Sequence, residues 1–240
     1  MKRWEELPDW LRVPEVRPYY DALAKKRASL FCKSLFDRLA GLTLLLLLAA
    51  PMLAIALAVK LDSEGPVFYR QERVTRYGRR FRIHKFRSMV SNAEQIGSAL
   101  TVGNDSRITR VGARLRGTRL DELPQLLDVV AGDMSFVGTR PEVPRYVAQY
   151  SREMLATLLL PAGITSEASI RFKDEDKLLE GAADVDKVYV EQVLPQKMAW
   201  NLKSIEDFSF HGELRTMVRT VLAVCGRDYS GRAGHTPGKS

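Results

Sequence analysis

Cysteine and histidine are scarce in this chain of 240 residues, which has two cysteines and three histidines. Cys32 and Cys225 cannot supply a disulfide framework or a metal-ligand cluster, and so low a content favours a reducing, cytoplasmic environment. There is no Gly-x-x-x-x-Gly-Lys-Ser/Thr loop, so a P-loop enzyme is not indicated. No serine or cysteine has a convincing basic partner, and no internal repeat is present. The chemistry of the chain must therefore be sought among its carboxylates and cations.

Positive charge is abundant and unevenly placed. The chain has 37 Lys and Arg against 29 Asp and Glu, a net charge of +8. The basic residues crowd two segments, Lys25–Arg38 and Arg70–Arg119. Such a field suits phosphate ligands, an anionic membrane surface or nucleic acid. Nucleic acid is the least supported of these, because no basic strand with interleaved aromatic residues and no recognisable reading helix is present.

One long stretch, Leu39–Val59, contains no charged residue. As a continuous helix it would be about 31 Å long, roughly one hydrocarbon thickness. Basic residues flank both of its ends, and positive flanks prefer the cytoplasmic side of a membrane. Pro51 removes a backbone donor near the middle, which favours a bend. The prediction is a re-entrant helical hairpin that enters one leaflet and returns; a kinked single span and a secretory signal are the alternatives.

The rest of the chain predicts an α+β fold that is mostly helical with a small β-hairpin. Val67, Tyr69, Phe81 and Ile83 alternate with polar residues on either side of the turn Arg76–Arg79, as in two paired strands. Helical spacing of apolar residues recurs in five later segments: Ser91–Leu100, Leu120–Val130, Tyr146–Leu160, Val185–Val193 and Glu213–Val224.

The segment RLDELPQLLDVVAGDMSFVGTRPE carries two adjacent carboxylates, Asp121 and Glu122. Carboxylates before a proline can simply occupy the first turn of a helix. Arg116 lies shortly upstream, however, and Arg140 lies in a glycine turn downstream. Arginine can fork onto phosphate oxygens, one carboxylate can hold Mg²⁺, and a second can attack phosphorus to form an acyl phosphate. The segment is thus a candidate phosphate and metal site.

Lys85 and Arg87, in HKFRSM, occupy alternate strand positions and are expected to project from one face. A solvated edge strand would also carry such residues. Because further arginines follow, an anion-binding face is an equally good interpretation. His84, on the opposite phase, is expected to be structural rather than catalytic.

Six segments, taken together and in order, resemble the bacterial sugar transferase family, the monotopic phosphoglycosyl transferases. They are KSLFDRLAGL, GPVFYRQERV, FRIHKFRSM, NDSRITRVGARLR, LDELPQLLDVVAGDMSFVGTRPE and PAGIT. The resemblance covers roughly Lys33 to Val224. One such segment would be weak evidence, but six in the same order are highly specific.

The resemblance implies an enzyme of the bacterial inner membrane, monotopic and on the cytoplasmic face. It would transfer a sugar-1-phosphate from a UDP-sugar to a polyprenyl phosphate such as undecaprenyl phosphate, with release of UMP, as the first membrane step of bacterial glycan assembly. The implied domains are an interfacial segment at 1–29, a re-entrant membrane helix at 30–61, a catalytic domain at 62–225 and a disordered tail at 226–240. A homodimer is compatible with this reading.

The resemblance also assigns roles to residues. Asp121 matches the family's nucleophile and would carry a covalent phospho-sugar, which the lipid phosphate then attacks. Glu122 matches the second, supporting acid, and Mg²⁺ would be held by Asp121 and Glu122. Arg116 and Arg140 match family arginines near the phosphates, and Lys85 matches a further family position that we also expect to bind substrate.

Several departures from the family pattern are visible; one is Ala162–Ser166, which reads AGITS where the family has PGITG. The family often has Ser-Pro at the membrane bend, where this chain has Ala50-Pro51, and Gly-Pro-Arg-Pro reads Gly138-Thr139-Arg140-Pro141. The alternative function is an inactive membrane-anchored scaffold of the same fold. The retained Asp121 and Glu122 argue against it.

Overall fold

The structure, a computed structural model, describes residues 1–96, 105–172 and 184–224. The predicted tail at 226–240, Cys225 and the second half of the predicted helix 91–100 lie outside these residues. The α-helices are α1 (Arg17–Ala24), α2 (Arg27–Leu47), α3 (Ala49–Asp62), α4 (Ala93–Ile96), α5 (Arg110–Gly117), α6 (Gln125–Ala131), α7 (Pro144–Val147), α8 (Glu167–Arg171), α9 (Val185–Val188), α10 (Leu194–Glu206) and α11 (Phe210–Val224). The strands are β1 (Phe68–Tyr69), β2 (Glu72–Val74), β3 (Arg80–Arg82), β4 (Lys85–Phe86), β5 (Met134–Val137) and β6 (Ala162–Thr165). The predicted α+β class, mostly helical, is confirmed.

The uncharged stretch forms two helices, α2 and α3, which meet at Leu48 with a bend of 64°. Among the described residues no single helix is long and apolar enough to cross a membrane, whereas this bent pair is, by length and composition. The bend precedes Pro51, so the proline lies in the first turn of α3, where its missing N–H breaks no helical hydrogen bond. Leucines along both helices are exposed: Leu39, Leu42, Leu46, Leu47, Leu53, Leu57 and Leu61. The re-entrant arrangement stays a prediction.

The predicted β-hairpin is present. Its ladder has two antiparallel parts, β2 with β3 near the turn and β1 with β4 further away, where Tyr69 pairs with Lys85. Tyr77 and Gly78 have positive φ values of 59° and 75° at the turn. The ring of Trp10 lies against Gly78, where a Cβ would come within 2.5 Å of it. The turn therefore requires glycine for space as well as for conformation.

A parallel pair of strands, β5 with β6, was not predicted from the sequence. Met134 pairs with Ala162, and Val137 with Thr165. All four residues of β5 are buried, and α2 and α6 pack against it. At the ends of these strands a Cβ on Gly163 would lie 2.1 Å from the nitrogen of Gly138. This close backbone approach fixes the start of the turn that carries Arg140.

The N-terminal segment packs against α10 rather than standing apart. Leu11 and Leu23 are fully buried there, in a cluster that includes Leu202 and Ile205. The interfacial role predicted for 1–29 stays a prediction, but most of this apolar surface is already covered by protein.

Three predicted helices are divided in the structure. The segment 146–160 contains α7 and a 3₁₀ helix, Met154–Leu159. The segment 120–130 begins with a 3₁₀ turn, Leu120–Glu122, and becomes α-helical only after Pro124. The segment 185–193 is α9 followed by a π-helix, Tyr189–Val193, that leads into α10. Because Pro195 has no N–H to donate to the preceding turn, a wider turn is accommodated there. The helix predicted at 213–224 is confirmed within α11.

Candidate active site

Asp121 and Glu122 lie on the 3₁₀ turn between α5 and α6. Arg119, which precedes the turn, has a left-handed φ of 58° that reverses the chain direction after α5. Thr109 caps the N-terminus of α5 by accepting a hydrogen bond from the N–H of Gly112. The two carboxylates are thus held by short, tightly connected elements rather than by a long helix, and only 6% of Asp121 is exposed.

Glu122 is held between two cations. Lys85 Nζ donates to its Oε1 at 2.8 Å, and Arg140 donates to Oε1 at 2.5 Å and to Oε2 at 3.4 Å. Burial raises the pKa of Glu122, but Arg140 and Lys85 outweigh burial and hold that pKa well below its usual value. Burial lowers the pKa of Lys85, against the opposing effect of Glu122. Glu122 is therefore ionised and fully engaged by protein.

Asp121, unlike Glu122, has a carboxylate oxygen that no described group pairs with. Its Oδ1 is buried and, in the described part of the chain, accepts no hydrogen bond. Burial raises the pKa of Asp121, and the neighbouring charge of Lys85 opposes the rise. Two adjacent carboxylates with pKa values pushed apart commonly have separate roles in catalysis. Here the open carboxylate is Asp121, and Glu122 fixes the cations around it.

Both carboxylates border a cavity of about 1080 Å³. Its polar wall includes Lys85, Arg116, Asp121, Glu122 and Arg140. Its apolar wall is built by the end of α2 and by the core beneath it, and includes Leu44, Leu48, Leu126, Phe136 and Ile164. One cavity therefore offers a cationic, carboxylate-bearing wall and an apolar wall that includes Leu44, an exposed leucine of α2.

Arg87 has partners that the sequence did not indicate. It borders the cavity and is only 4% exposed, but its guanidinium donates to the carbonyl oxygens of Val59 at 3.2 Å and Ser63 at 2.5 Å, and to that of Pro66. These contacts tie the end of α3 to β4. The geometry does not support the predicted phosphate-binding role of Arg87. Alternation along a strand places residues on a face but cannot tell which of them meets carbonyl groups from another element.

His84 has the structural role that was expected. Its backbone N–H donates to Asp128 Oδ2 at 2.9 Å, and its ring Nδ1 lies 2.7 Å from Oδ1. Because β4 follows directly, this contact joins the strand that carries Lys85 to α6, which follows Glu122. Asp128 was not recognised from the sequence, where it reads only as a polar residue on a helix.

The carboxylates fit a metal ion that takes most of its ligands from elsewhere. Among the described residues no group of three or more His, Cys, Asp or Glu side chains is placed to hold a metal. Both oxygens of Glu122 accept from cations, so Asp121 is the better candidate ligand of the predicted pair. Mg²⁺ is commonly held by one or two carboxylates together with substrate phosphates and water. The arrangement suits a Mg²⁺ ion that arrives with a phosphate ligand.

Three further polar residues beside the cavity were missed in the sequence. Glu142, Tyr189 and Lys197 are buried, border the cavity and are bonded to one another. The one signal in the sequence that linked Glu142 with the site is its position as the last residue of the segment that carries Asp121 and Arg140. Tyr189 and Lys197 lie more than forty positions later, and nothing local in the sequence connects them with Glu142.

A family model described as "Bacterial sugar transferase" matches residues 28–227. The chain is 47% identical over 124 residues to a "UDP-N-acetylgalactosamine-undecaprenyl-phosphate N-acetylgalactosaminephosphotransferase" of Aeromonas hydrophila, covering 52% of this chain and 29% of the relative. It is 35% identical over 199 residues to a "UDP-glucose:undecaprenyl-phosphate glucose-1-phosphate transferase" of Caulobacter vibrioides, covering 82% and 70%. A relative of the same description from Xanthomonas campestris is 32% identical over 221 residues, covering 90% and 43%. The chain thus spans less than half the length of two of these relatives.

Proposed function

The chain belongs to the bacterial sugar transferase family, and on that premise we propose that it transfers a sugar-1-phosphate from a UDP-sugar to a polyprenyl phosphate, with release of UMP. The relatives named above act on UDP-sugars and undecaprenyl phosphate, and they differ in the sugar. The sugar used by this chain is therefore left to experiment. The reaction we propose has two steps and passes through a covalent phospho-sugar on Asp121.

One observation carries the proposal: a buried Asp121 oxygen, without a hydrogen-bond partner in the described part of the chain, lies in a cavity with a cationic wall and an apolar wall. A purely structural Asp121 would be expected to use its buried oxygens in hydrogen bonds. A diphosphate needs cations, and a polyprenyl phosphate needs an apolar surface next to them. The cavity offers Arg116, Arg140 and Lys85 for the first and Leu44 and Leu48 for the second.

In the first step, an Asp121 carboxylate oxygen attacks the phosphorus that bears the sugar. A bond forms between that oxygen and phosphorus, and the bond from phosphorus to the bridging oxygen of the diphosphate breaks. UMP leaves with the bridging oxygen and its electron pair. Arg140 and Lys85 are placed to stabilise charge on the phosphate oxygens, because both already converge on Glu122 beside Asp121.

In the second step, a phosphate oxygen of the lipid attacks the same phosphorus. The bond from phosphorus to Asp121 breaks, the carboxylate is restored, and a polyprenyl-diphosphate sugar results. Because UMP has left before the lipid phosphate reacts, one phosphate site can serve both steps. The lipid chain lies along the apolar wall at the end of α2.

Mg²⁺, when bound, would supply positive charge that reduces the repulsion between the substrate phosphates and the carboxylates. Asp121 would hold it, with Glu122 next to it as a fixed negative charge. The proposed place of action is the cytoplasmic face of the bacterial inner membrane. This placement is supported by the exposed leucines of α2 and α3 and by the basic residues on both sides of them.

The test is UMP release from a panel of UDP-sugars, with detergent-purified protein, undecaprenyl phosphate and Mg²⁺. We expect release with one sugar or a few, and none from Asp121→Asn. Asp133→Asn is the matched control, because Asp133 lies in the same sequence segment but pairs with Arg79 outside the cavity.

A second arm omits the lipid and supplies donor labelled at the sugar-linked phosphate. We expect the wild type to retain label covalently and Asp121→Asn to retain none. Undiminished UMP release from Asp121→Asn would refute the covalent mechanism. No release with any donor from folded wild-type protein would favour the scaffold alternative.

A further inference from the structure

The turn that carries Arg140 is anchored by a buried polar cluster, Glu142, Tyr189 and Lys197. Tyr189 donates from its hydroxyl to Glu142 Oε1 at 2.5 Å, and Lys197 Nζ donates to that hydroxyl at 3.2 Å and lies 4.0 Å from Glu142 Oε1. The three residues are 6%, 1% and 5% exposed, respectively. Buried ionic groups are costly unless they are bonded, so this cluster constrains where Glu142 can lie.

The backbone of the same turn is held from the opposite side by β2. Val74 N–H donates to the carbonyl of Glu142 at 3.0 Å, and Arg73 donates to the carbonyl of Pro141 at 3.1 Å. The side chain of Glu142 is thus fixed by α10 and the π-helix, while its main chain is fixed by the hairpin. The turn has little freedom to move while both sets of contacts are intact.

Arg140 is two residues before Glu142, a reach of about 7 Å along the chain. Pro141, between them, has a nearly fixed φ. A shift of Glu142 is therefore transmitted to Arg140 with little loss. Arg140 in turn contacts Glu122, and with Lys85 and Arg116 it contributes to the positive charge around Asp121. A small displacement of charged groups in an active site can cost much of the rate.

Tyr189 begins the π-helix that precedes α10. A π-helical turn is rare and often occurs at functional sites. Here the wide turn comes directly before Pro195, and Tyr189 at its start delivers the hydroxyl to Glu142. The π-helix and α10 together thus carry two of the three residues of the cluster, Tyr189 and Lys197.

We propose that Tyr189, acting through Glu142, is a positioning residue for Arg140. The inference rests on the proposed function, because it assigns Arg140 to the donor phosphates. The competing explanation is that the cluster contributes only to the stability of the core. The two explanations differ in whether the loss of the Tyr189 hydroxyl acts through Arg140.

The test uses Tyr189→Phe, which removes one hydroxyl and keeps the ring. Tyr146→Phe is the matched control: the ring of Tyr146 lies 4.9 Å from that of Tyr189, but its hydroxyl donates to Asp186. We expect Tyr189→Phe to lower kcat/KM for the UDP-sugar about tenfold. In Tyr146→Phe, kcat/KM should change less than about twofold.

A double-mutant cycle decides whether the effect passes through Arg140. In an Arg140→Lys background, Tyr189→Phe should cost less than about twofold, because the group it positions has been changed. The inference would be overturned if Tyr189→Phe lowered kcat/KM by the same factor in the Arg140→Lys background as in the wild type, because the two losses would then be independent. Equal effects of Tyr189→Phe and Tyr146→Phe in the wild-type background would also overturn it.

Hydrogen exchange without any ligand separates this inference from the proposed function. Tyr189→Phe should accelerate exchange of the Val74 amide, which bonds to Glu142, and of the peptide that spans residues 138–143, whereas Tyr146→Phe should leave both unchanged. If wild-type protein releases no UMP, the proposed function fails, and this arm still shows whether Tyr189 holds the turn. Unchanged exchange in Tyr189→Phe would overturn the inference in either case.

Discussion

Two buried networks in this protein centre on a lysine, and they differ in what they leave unpaired. In the first, Lys33 of α2 donates to the carbonyl of Val137 at 3.0 Å and to Glu213, and lies 3.6 Å from Asp37. Asp37 accepts from the hydroxyl of Ser135 at 2.7 Å. No side-chain atom of these residues is among the buried groups that lack a partner in the described chain. This network joins α2 to β5 and α11.

In the second network, Lys85 and Arg140 converge on Glu122, and Asp121 stands beside them with a buried oxygen that accepts no hydrogen bond among the described residues. Burial raises the pKa of Asp121, but it also raises the pKa of Glu213, which is paired with Lys33. A raised pKa therefore does not separate the two networks. The missing hydrogen bond does separate them: a buried oxygen without a partner costs stability, and a ligand bound at that oxygen would recover it.

Asp121→Asn should have the largest effect on turnover, a loss of at least about 10³-fold. The same change should raise the melting temperature at about pH 7.5. A raised folded-state pKa means that Asp121 contributes stability below its unfolded pKa and loses it as pH rises through the folded value. In thermal melts across pH, the increase in melting temperature caused by Asp121→Asn should become smaller as the pH falls. A lower melting temperature at every pH would contradict the assignment of Asp121 as the unpaired group.

Glu122→Gln should come next, with turnover lowered about 100-fold because the cations beside Asp121 lose their fixed partner. It should also lower the free energy of unfolding by about 3 kcal/mol, as expected when one member of a buried ion pair is removed. Glu122 has a lowered pKa, so its contribution is present above its unfolded pKa and lost as pH falls through the folded value. Urea denaturation and UMP release measure the two effects. Loss of turnover without loss of stability would count against its role as a fixed counter-charge.

The donor half-reaction should lose rate in acid, about tenfold per pH unit below the folded pKa of Asp121. Only the ionised carboxylate can attack phosphorus, so the acidic limb should lie above the ordinary aspartate value of 3.8. The measurement is the rate of covalent labelling against pH, with the lipid omitted so that its phosphate does not titrate in the same range. An acidic limb at or below the ordinary value would contradict burial of the reactive carboxylate.

Lys33→Met should have the smallest effect on turnover and sharpens the contrast between the networks. It leaves Asp37 and Glu213 without their cation, so the free energy of unfolding should fall by about 3 kcal/mol. The rate per folded molecule should stay within about twofold of wild type, because this network lies outside the reaction cavity. The double variant Lys33→Met with Glu213→Gln should recover part of the stability. A large loss of rate in folded Lys33→Met would contradict the distinction between a structural Lys33 network and a reactive Glu122 network.

The sequence predicted what is local in the fold and the site. Short runs of neighbouring residues were enough to identify the uncharged stretch, the hairpin turn at Tyr77-Gly78 and the carboxylate pair. Strand β5 could not be identified in this way, because a short apolar run beside a helix has no periodicity that indicates a strand. The partners of Arg87 and Glu142 were equally out of reach, because both meet groups brought together only by tertiary packing. The family resemblance gave Asp121 and Glu122 different roles, but the sequence did not show the contacts that distinguish them, because these depend on which carboxylate the cations reach.

The contacts of Arg87 give the molecule a mechanical property. Arg87 immediately follows β4, two positions after Lys85, and its guanidinium is bonded to the last turn of α3 through Val59 and Ser63. A force that tilts α3 is therefore transmitted to the strand that carries Lys85. With α3 in the bilayer, as we propose, lateral pressure and acyl-chain thickness would act on the connection that runs from α3 through Arg87 to Lys85. The rate would then respond to the physical state of the lipid as well as to the polyprenyl phosphate dissolved in it.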